Sequence, residues 1–139
     1  MEKGRVVENV LLVIWSITLL ATAGSLFYSE IVGYVPCDLC WVQRIFMYPL
    51  VVIYGVATFK QNVKFALSGL ILSIMGFSGS VYHYLLQKLP ALQEVGGTCQ
   101  IVPCNLQYVN YFGFITIPFL AGSAFLMISL LHIFILRQK

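Results

Sequence analysis

The sequence contains very little charge. Of its 139 residues 8 are Lys or Arg and 5 are Asp or Glu, and the charged share of 9% compares with a hydrophobic share of 60%. Soluble domains carry about 25% charged residues, so this composition excludes an ordinary water-soluble domain. The chain also lacks a glycine-rich nucleotide fingerprint and a block of like charge, so nothing in it predicts a nucleotide cofactor or a nucleic-acid partner.

Four long apolar runs account for most of the hydrophobic residues. They cover approximately residues 9–28, 41–59, 65–86 and 112–136, and each is close to the ~20 residues that a helix needs to cross a bilayer. We therefore predict an all-α integral membrane protein, an antiparallel bundle of four transmembrane helices that forms one domain over residues 1–139. Small residues three and four positions apart on the third run predict a face for close helix packing: Gly69, Ser73, Gly76 and Ser80.

The basic residues predict the orientation of the bundle, because short loops rich in Lys and Arg remain on the cytoplasmic side of a membrane. Six of them fall on one side of the predicted bundle: Lys3, Arg5, Lys60, Lys64, Arg137 and Lys139. Both termini are therefore expected to be cytoplasmic. This orientation makes 29–40 and 87–111 the extracytoplasmic segments, and all four cysteines lie in or beside them.

The N-terminal run has an alternative interpretation as a cleavable signal peptide. Lys3 and Arg5 precede an apolar stretch that ends in the small residues Ala21-Thr22-Ala23, as such peptides do. The apolar character continues to Tyr28, however, which makes the run long enough to span the membrane and favours a retained helix.

Cys37 and Cys40 form a C-x-x-C motif at the predicted start of the second helix. The positive end of the helix dipole and the unpaired N–H groups there favour a thiolate, which is the species that performs thiol–disulfide exchange. The second pair, Cys99 and Cys104, lies in a polar segment that contains glycine and proline. An even number of cysteines on an oxidising side of a membrane favours disulfides.

Two alternatives to a redox function stay open at this point. The cysteines could form two structural disulfides in a non-enzymatic four-helix membrane scaffold. Two closely spaced pairs could also bind zinc through four thiolates. An oxidising compartment does not keep four thiols reduced, so we predict no metal.

Arg44 is the only Lys, Arg, Asp or Glu inside the four runs, and it follows Cys40 by four residues. The two side chains should therefore project from one face of the helix, about 6 Å apart along the axis. An ionised side chain at membrane depth is usually functional, which predicts a positive charge that favours a Cys40 thiolate and stabilises negative charge on an acceptor bound beside it. The alternative is that Arg44 extends to the outer headgroups.

The electron acceptor should be soluble in the membrane, because a dithiol that is reoxidised in the bilayer needs a destination there for two electrons. His83, near the outer end of the third run, could line such a site, although a lone histidine can also serve as a structural hydrogen-bonding group. Trp41 and Tyr48 are most simply members of an interfacial aromatic belt.

The string Pro36-Cys37-Asp38-Leu39-Cys40-Trp41-Val42-Gln43-Arg44 resembles the DsbB family of bacterial disulfide bond formation proteins, particularly its short Gram-positive members called BdbC. The resemblance covers nearly the whole chain. It implies a multi-pass protein of the bacterial plasma membrane that supports disulfide formation in exported proteins. It also implies that the cofactor is a quinone, menaquinone or ubiquinone, and that the partner is a secreted or membrane-anchored thioredoxin-like oxidase of the DsbA type.

The resemblance further implies an electron path through this chain. The reduced partner exchanges with a Cys99–Cys104 disulfide, with Cys99 in the mixed disulfide and Cys104 resolving it. Electrons then pass to Cys37–Cys40, where Cys40 engages the quinone and Gln43 contacts the same site.

One departure from the family pattern concerns the second pair, which is widely separated in the best-known members but here encloses only four residues. The order of the exchange steps therefore stays open. The vitamin K epoxide reductase group shares a helical bundle and thiol–quinone chemistry, but the motif at 36–44 and the four-helix length favour the DsbB family.

Overall fold

The structure is a computed structural model that describes residues 2–89, 91 and 110–138. Within this part of the chain it contains four helices long and apolar enough to cross a membrane. They are α1 (Glu2–Leu26, continued by a π-helix over Phe27–Ile31), α2 (Asp38–Lys60), α3 (Leu67–Lys88, preceded by a 3-10 turn over Val63–Ala66) and α4 (Ile117–Gln138). The predicted all-α fold with four membrane-spanning helices is confirmed, and the chain is a multi-pass membrane protein.

Two of the predicted helices begin too late. α1 starts at Glu2 rather than residue 9, because the Glu, Lys and Arg residues before the apolar run are good helix formers and extend the helix beyond it. α2 starts at Asp38 rather than residue 41. The outer segment predicted as 29–40 is therefore shorter, since helical turns occupy both of its ends.

The fourth predicted helix begins too early. Residues 112–116 precede α4, because Phe112 and Gly113 adopt φ angles of 55° and 84°, which a right-handed helix does not contain. A short turn closes here, with the Tyr111 N–H donating to the Ile115 carbonyl at 2.9 Å. The outer segment predicted as 87–111 is also shifted, because α3 continues to Lys88 and α4 begins only at Ile117.

The stripe of small residues on α3 packs against two neighbouring helices, as predicted. A Cβ atom on Gly69 would lie 2.8 Å from the Tyr54 ring of α2, and one on Gly76 would lie 2.4 Å from the Phe125 ring of α4. Between these glycines the Ser73 and Ser129 hydroxyl oxygens are 2.9 Å apart. Close backbone approach and interhelical hydrogen bonds therefore hold α3 in place, as is typical of helix association in lipid.

Each described helix of the bundle packs mainly against two others, in the cyclic order α1, α2, α3, α4, and α2 also makes a small contact with α4. The interior is filled by large apolar and aromatic side chains: Leu11, Ile14, Leu50, Tyr54, Phe125, Ile128 and Ile135. Many equally apolar side chains point outwards, such as Leu20, which is 74% exposed, and Phe59, which is 78% exposed. An apolar exterior of this kind suits lipid contact rather than water.

Candidate active site

The first cysteine pair lies at the N-terminus of α2. Cys37 is the N-cap residue, with an extended backbone, and its carbonyl accepts the first helical hydrogen bond from the Trp41 N–H at 3.1 Å. Cys40 lies in the first helical turn, and the two sulfur atoms are 3.3 Å apart. A disulfide bond is about 2.05 Å long, so a small displacement of either side chain brings the sulfurs to bonding distance.

Cys37 faces a buried polar cluster formed by His83 of α3 and Gln43 of α2. The His83 Nε2 atom lies 3.7 Å from the Cys37 sulfur, and the His83 Nδ1 atom lies 3.2 Å from the Gln43 amide nitrogen. When the Gln43 amide donates to Nδ1, the ring proton lies on Nε2 and faces Cys37. His83 is 1% exposed and Cys37 is 5% exposed, so these contacts are shielded from solvent.

The charge state of Cys37 follows from these neighbours. A hydrogen bond from the Cys40 thiol lowers the pKa of Cys37 below its ordinary range, and the contacts with His83 act in the same direction, while burial opposes them. A thiolate at Cys37 is therefore the favoured ionised form of the reduced pair, and a thiolate is the species that attacks disulfides.

Cys40, unlike Cys37, lines a cavity of about 250 Å³ between α1, α2 and α4. The cavity has a mainly apolar lining that includes Leu20, Met47, Leu120 and Phe125. Its polar lining includes Ser25, Tyr28, Cys40, Gln43, Arg44 and Tyr48. A volume near the lower end of the ~300–1,000 Å³ typical of small-molecule pockets suits a single flat ring.

Arg44 is held at the wall of this cavity by α1. Its Nε donates to the Ser25 hydroxyl at 3.0 Å, and its Nη2 donates to the Ser25 carbonyl oxygen at 3.2 Å. The guanidinium carbon also lies 5.1 Å from the centroid of the Trp41 ring, a cation–π distance. The positive charge is therefore positioned beside the cavity that Cys40 enters.

Tyr48 follows Arg44 by one helical turn and lines the same cavity. Its hydroxyl is buried and has no hydrogen-bond partner within residues 2–89, 91 and 110–138. The sequence assigned Tyr48 only to an aromatic belt and missed this position. The available signal was its spacing of four residues from Arg44 and eight from Cys40, which places the three residues near one face of α2.

The structure separates the predicted site residues into two groups. Cys40, Gln43 and Arg44 line the cavity, whereas the described lining does not include His83, which instead contacts Cys37. Gln43 reaches both groups, because it lines the cavity and contacts His83. Cys99 and Cys104 lie outside the described residues, and their predicted roles stay predictions.

The thiol pair also has the donor set of a metal site. The Cys37 and Cys40 sulfurs and a His83 ring nitrogen all lie within 4.8 Å of one another, and such atoms can ligate a thiophilic ion. Thiol–disulfide exchange also requires two sulfurs close together, and a histidine beside them can hold the proton that a thiol loses. The zinc alternative with four thiolates cannot be placed, because two of its cysteines lie outside the described part of the chain.

Comparison with known proteins gives a consistent result. Residues 7–135 match the sequence profile of the family described as "Disulfide bond formation protein DsbB". A "Probable disulfide formation protein" of Oceanobacillus iheyensis is 62% identical over 133 residues, which are 95% of this chain and 92% of that protein.

Two further relatives cover nearly the whole chain. The "Probable disulfide formation protein C" of Halalkalibacterium halodurans is 50% identical over 98% of this chain and 99% of its own length. The "Disulfide bond formation protein C" of Bacillus subtilis is 46% identical over 90% of this chain and 91% of its own length. No solved structure gives a significant match.

Proposed function

This chain belongs to the DsbB family of disulfide bond formation proteins, and from that premise we propose that it reoxidises a thioredoxin-like oxidase of the DsbA type and passes the electrons to a membrane quinone. Membership of the family makes the protein a membrane thiol–disulfide oxidoreductase. The partner and the quinone, menaquinone or ubiquinone, are the parts that we propose.

The observation that carries the proposal is that the two sulfurs of the Cys37–Cys40 pair have different neighbours. The two sulfurs are 3.3 Å apart, yet Cys37 faces the His83 cluster and Cys40 lines the cavity with Arg44. Of the two sulfurs, only that of Cys40 therefore meets an occupant of the cavity, while the Cys37 sulfur lies outside the cavity lining and beside His83. This arrangement suits a relay between a thiol partner and a small acceptor in the membrane.

The cavity fits a quinone headgroup by its chemistry. Its mainly apolar lining suits a flat ring, and the Arg44 guanidinium supplies hydrogen-bond donors of the kind that a quinone carbonyl oxygen accepts. A bound quinone supplies a two-electron acceptor for the dithiol.

The protein's own groups then have separate roles. Arg44 stabilises negative charge at the edge of the cavity beside Cys40, since its own charge is held there by Ser25. His83 holds a proton at Nε2 beside the Cys37 sulfur and can exchange it when that thiol is formed or consumed. The apolar walls exclude water from the reacting sulfur.

We also propose the orientation that the basic residues predict, with both termini cytoplasmic and the cysteines extracytoplasmic in a bacterial plasma membrane. Support comes from α2, which carries the C-x-x-C motif at one end and Lys60 at the other, beside the turn that contains Lys64. A short basic turn favours the cytoplasmic face. The thiol pair would then lie at the oxidising face, where exported proteins acquire disulfides.

The proposal is tested anaerobically with the purified protein in detergent. A reduced DsbA-type oxidase and a soluble quinone analogue are added, and quinone absorbance is followed together with the thiol content of the partner. We expect one quinone to be reduced for each partner disulfide formed, and Cys40→Ser to abolish the reaction. If no quinone is reduced with any of several partners and quinones, the scaffold with two structural disulfides replaces this function.

A further inference from the structure

Tyr48 is a polar group in the cavity that the relay described above does not use. Its ring lies one turn of α2 beyond Arg44, and its hydroxyl is buried without a hydrogen-bond partner in the described chain. Burying a hydroxyl without a partner is unfavourable, so such a group in a cavity wall indicates an occupant that accepts or donates a hydrogen bond there.

We propose that Tyr48 is a second hydrogen-bonding contact for the quinone, holding the carbonyl oxygen opposite the one beside Arg44. This inference rests on the proposed function, because it assumes that the cavity holds a quinone. It adds a ligand contact on the membrane side of the site, away from the reactive sulfur.

The spacing along α2 supports this assignment. Residues four apart lie on one face of a helix and about 6 Å apart along its axis. That distance is comparable to the separation of two carbonyl oxygens across a six-membered ring. A flat ring bound along α2 can therefore contact Cys40 and Arg44 at one end and Tyr48 at the other.

The other polar groups of the lining already have partners. The Arg44 Nε and Nη2 groups donate to Ser25, and the Gln43 amide nitrogen contacts His83. The buried Tyr48 hydroxyl, by contrast, has no partner within the described residues.

The chemistry of a phenol also suits both redox states of the ligand. A phenolic hydroxyl donates as well as accepts, so it can donate to the carbonyl of a quinone and accept from the hydroxyl of a quinol. Arginine only donates. Tyr48 should consequently bind both forms, whereas Arg44 should favour the oxidised or anionic form.

The test compares Tyr48→Phe with Tyr82→Phe, which removes a hydroxyl from a partly exposed tyrosine of α3 outside the cavity lining. Binding of a soluble quinone analogue to the oxidised protein is measured by equilibrium titration, and its carbonyl stretches by infrared difference spectroscopy. We expect Tyr48→Phe to raise the Kd about 3- to 10-fold, the loss of one neutral hydrogen bond. One carbonyl band should also move to higher frequency, while Tyr82→Phe leaves both readouts unchanged.

The thermal stability of Tyr48→Phe, measured without quinone, serves as the control for correct folding. Removing a buried hydroxyl that has no partner should leave the stability of the unliganded protein unchanged or slightly higher. A Tyr48→Phe protein with unchanged quinone affinity and unchanged carbonyl bands overturns the assignment but leaves the proposed function intact. If the wild-type protein binds no quinone, the proposed function itself is wrong and this inference with it.

Discussion

At the scale of single residues, the chemistry depends on which neighbour each sulfur has. Cys37 lies beside His83, and Cys40 lies at the cavity that Arg44 also lines. The sequence predicted that Cys40 and Arg44 share one face of a helix, because residues four positions apart lie on the same face. It could not predict the Cys37–His83 contact, since these residues are 46 positions apart and local spacing does not show which helices are neighbours.

The ionisation of Cys37 gives a prediction for the reduced protein. In a Cys99→Ser/Cys104→Ser background, the rate of alkylation of Cys37 by a small reagent should reach half its maximum at a pH below the ordinary thiol pKa of about 8.5, because the Cys40 and His83 contacts lower its pKa. A lowered pKa stabilises the folded reduced protein above the ordinary thiol pKa, and this contribution is lost as the pH falls through the lowered value.

The same titration has two controls. His83→Gln should move the midpoint to higher pH, because it removes one of the contacts that lower the pKa of Cys37. The protein unfolded in denaturant should titrate as an ordinary thiol. A native midpoint equal to that of the unfolded chain would contradict the role given to these neighbours.

Arg44 gives a second prediction at this scale. Arg44→Ala should raise the apparent KM for quinone roughly tenfold, because it removes a charge beside the cavity, and should change exchange with the partner much less. Steady-state kinetics with each substrate varied separately distinguishes the two effects. Arg44→Lys keeps a charge but not the paired contacts to Ser25, so its apparent KM for quinone should lie between those of the wild type and Arg44→Ala. An unchanged KM for quinone in Arg44→Ala would refute this role.

At the scale of helices, the cavity exists because α1, α2 and α4 do not close on one another near the start of α2. Gly24 of α1 lines the cavity, and a Cβ atom placed on it would have no neighbour within 4 Å. Such space arises from the packing of three separate helices, so no pattern within one of them predicts it. The apolar runs predicted which segments are helical but not where α4 begins, since residues 112–116 are apolar and still form a turn.

The open space at Gly24 gives a prediction about the cavity. Gly24→Leu should fill the cavity and weaken quinone binding roughly tenfold or more, while thiol exchange at Cys37–Cys40 continues. Gly79→Leu is the matched control, because a Cβ atom at Gly79 of α3 also has no neighbour within 4 Å but lies outside the cavity lining. Equal quinone affinity in the two variants would show that this cavity is not the acceptor site.

At the scale of the whole molecule, the described part of the chain forms a ring of four helices whose close contacts involve glycine and serine. Length and hydropathy were sufficient to predict the four spans, because the bilayer imposes one length on each. The small-residue stripe of α3 predicted a packing face. It could not identify the partners, which are Tyr54 of α2 and Phe125 of α4.

The packing of α3 against α4 gives a prediction about stability. Gly76→Ala should destabilise the bundle by about 1–3 kcal/mol, because the added Cβ would lie 2.4 Å from the Phe125 ring and overpack the contact. Gly79→Ala, three residues further along α3, meets no atom within 4 Å and should be neutral or slightly stabilising. Reversible unfolding in mixed micelles measures both. Equal stabilities would contradict the packing, and Phe125→Leu should partly restore the Gly76→Ala protein.

A single-turnover experiment shows whether the Cys37–Cys40 dithiol delivers its electrons directly to a quinone in the cavity. The Cys99→Ser/Cys104→Ser protein is reduced, freed of reductant and mixed anaerobically with a soluble quinone analogue in a stopped-flow instrument. We predict that one quinone is reduced for each dithiol, that the Cys37–Cys40 disulfide forms at the same rate, and that Cys40→Ser abolishes both signals. A dithiol that stays reduced beside excess quinone would contradict the account.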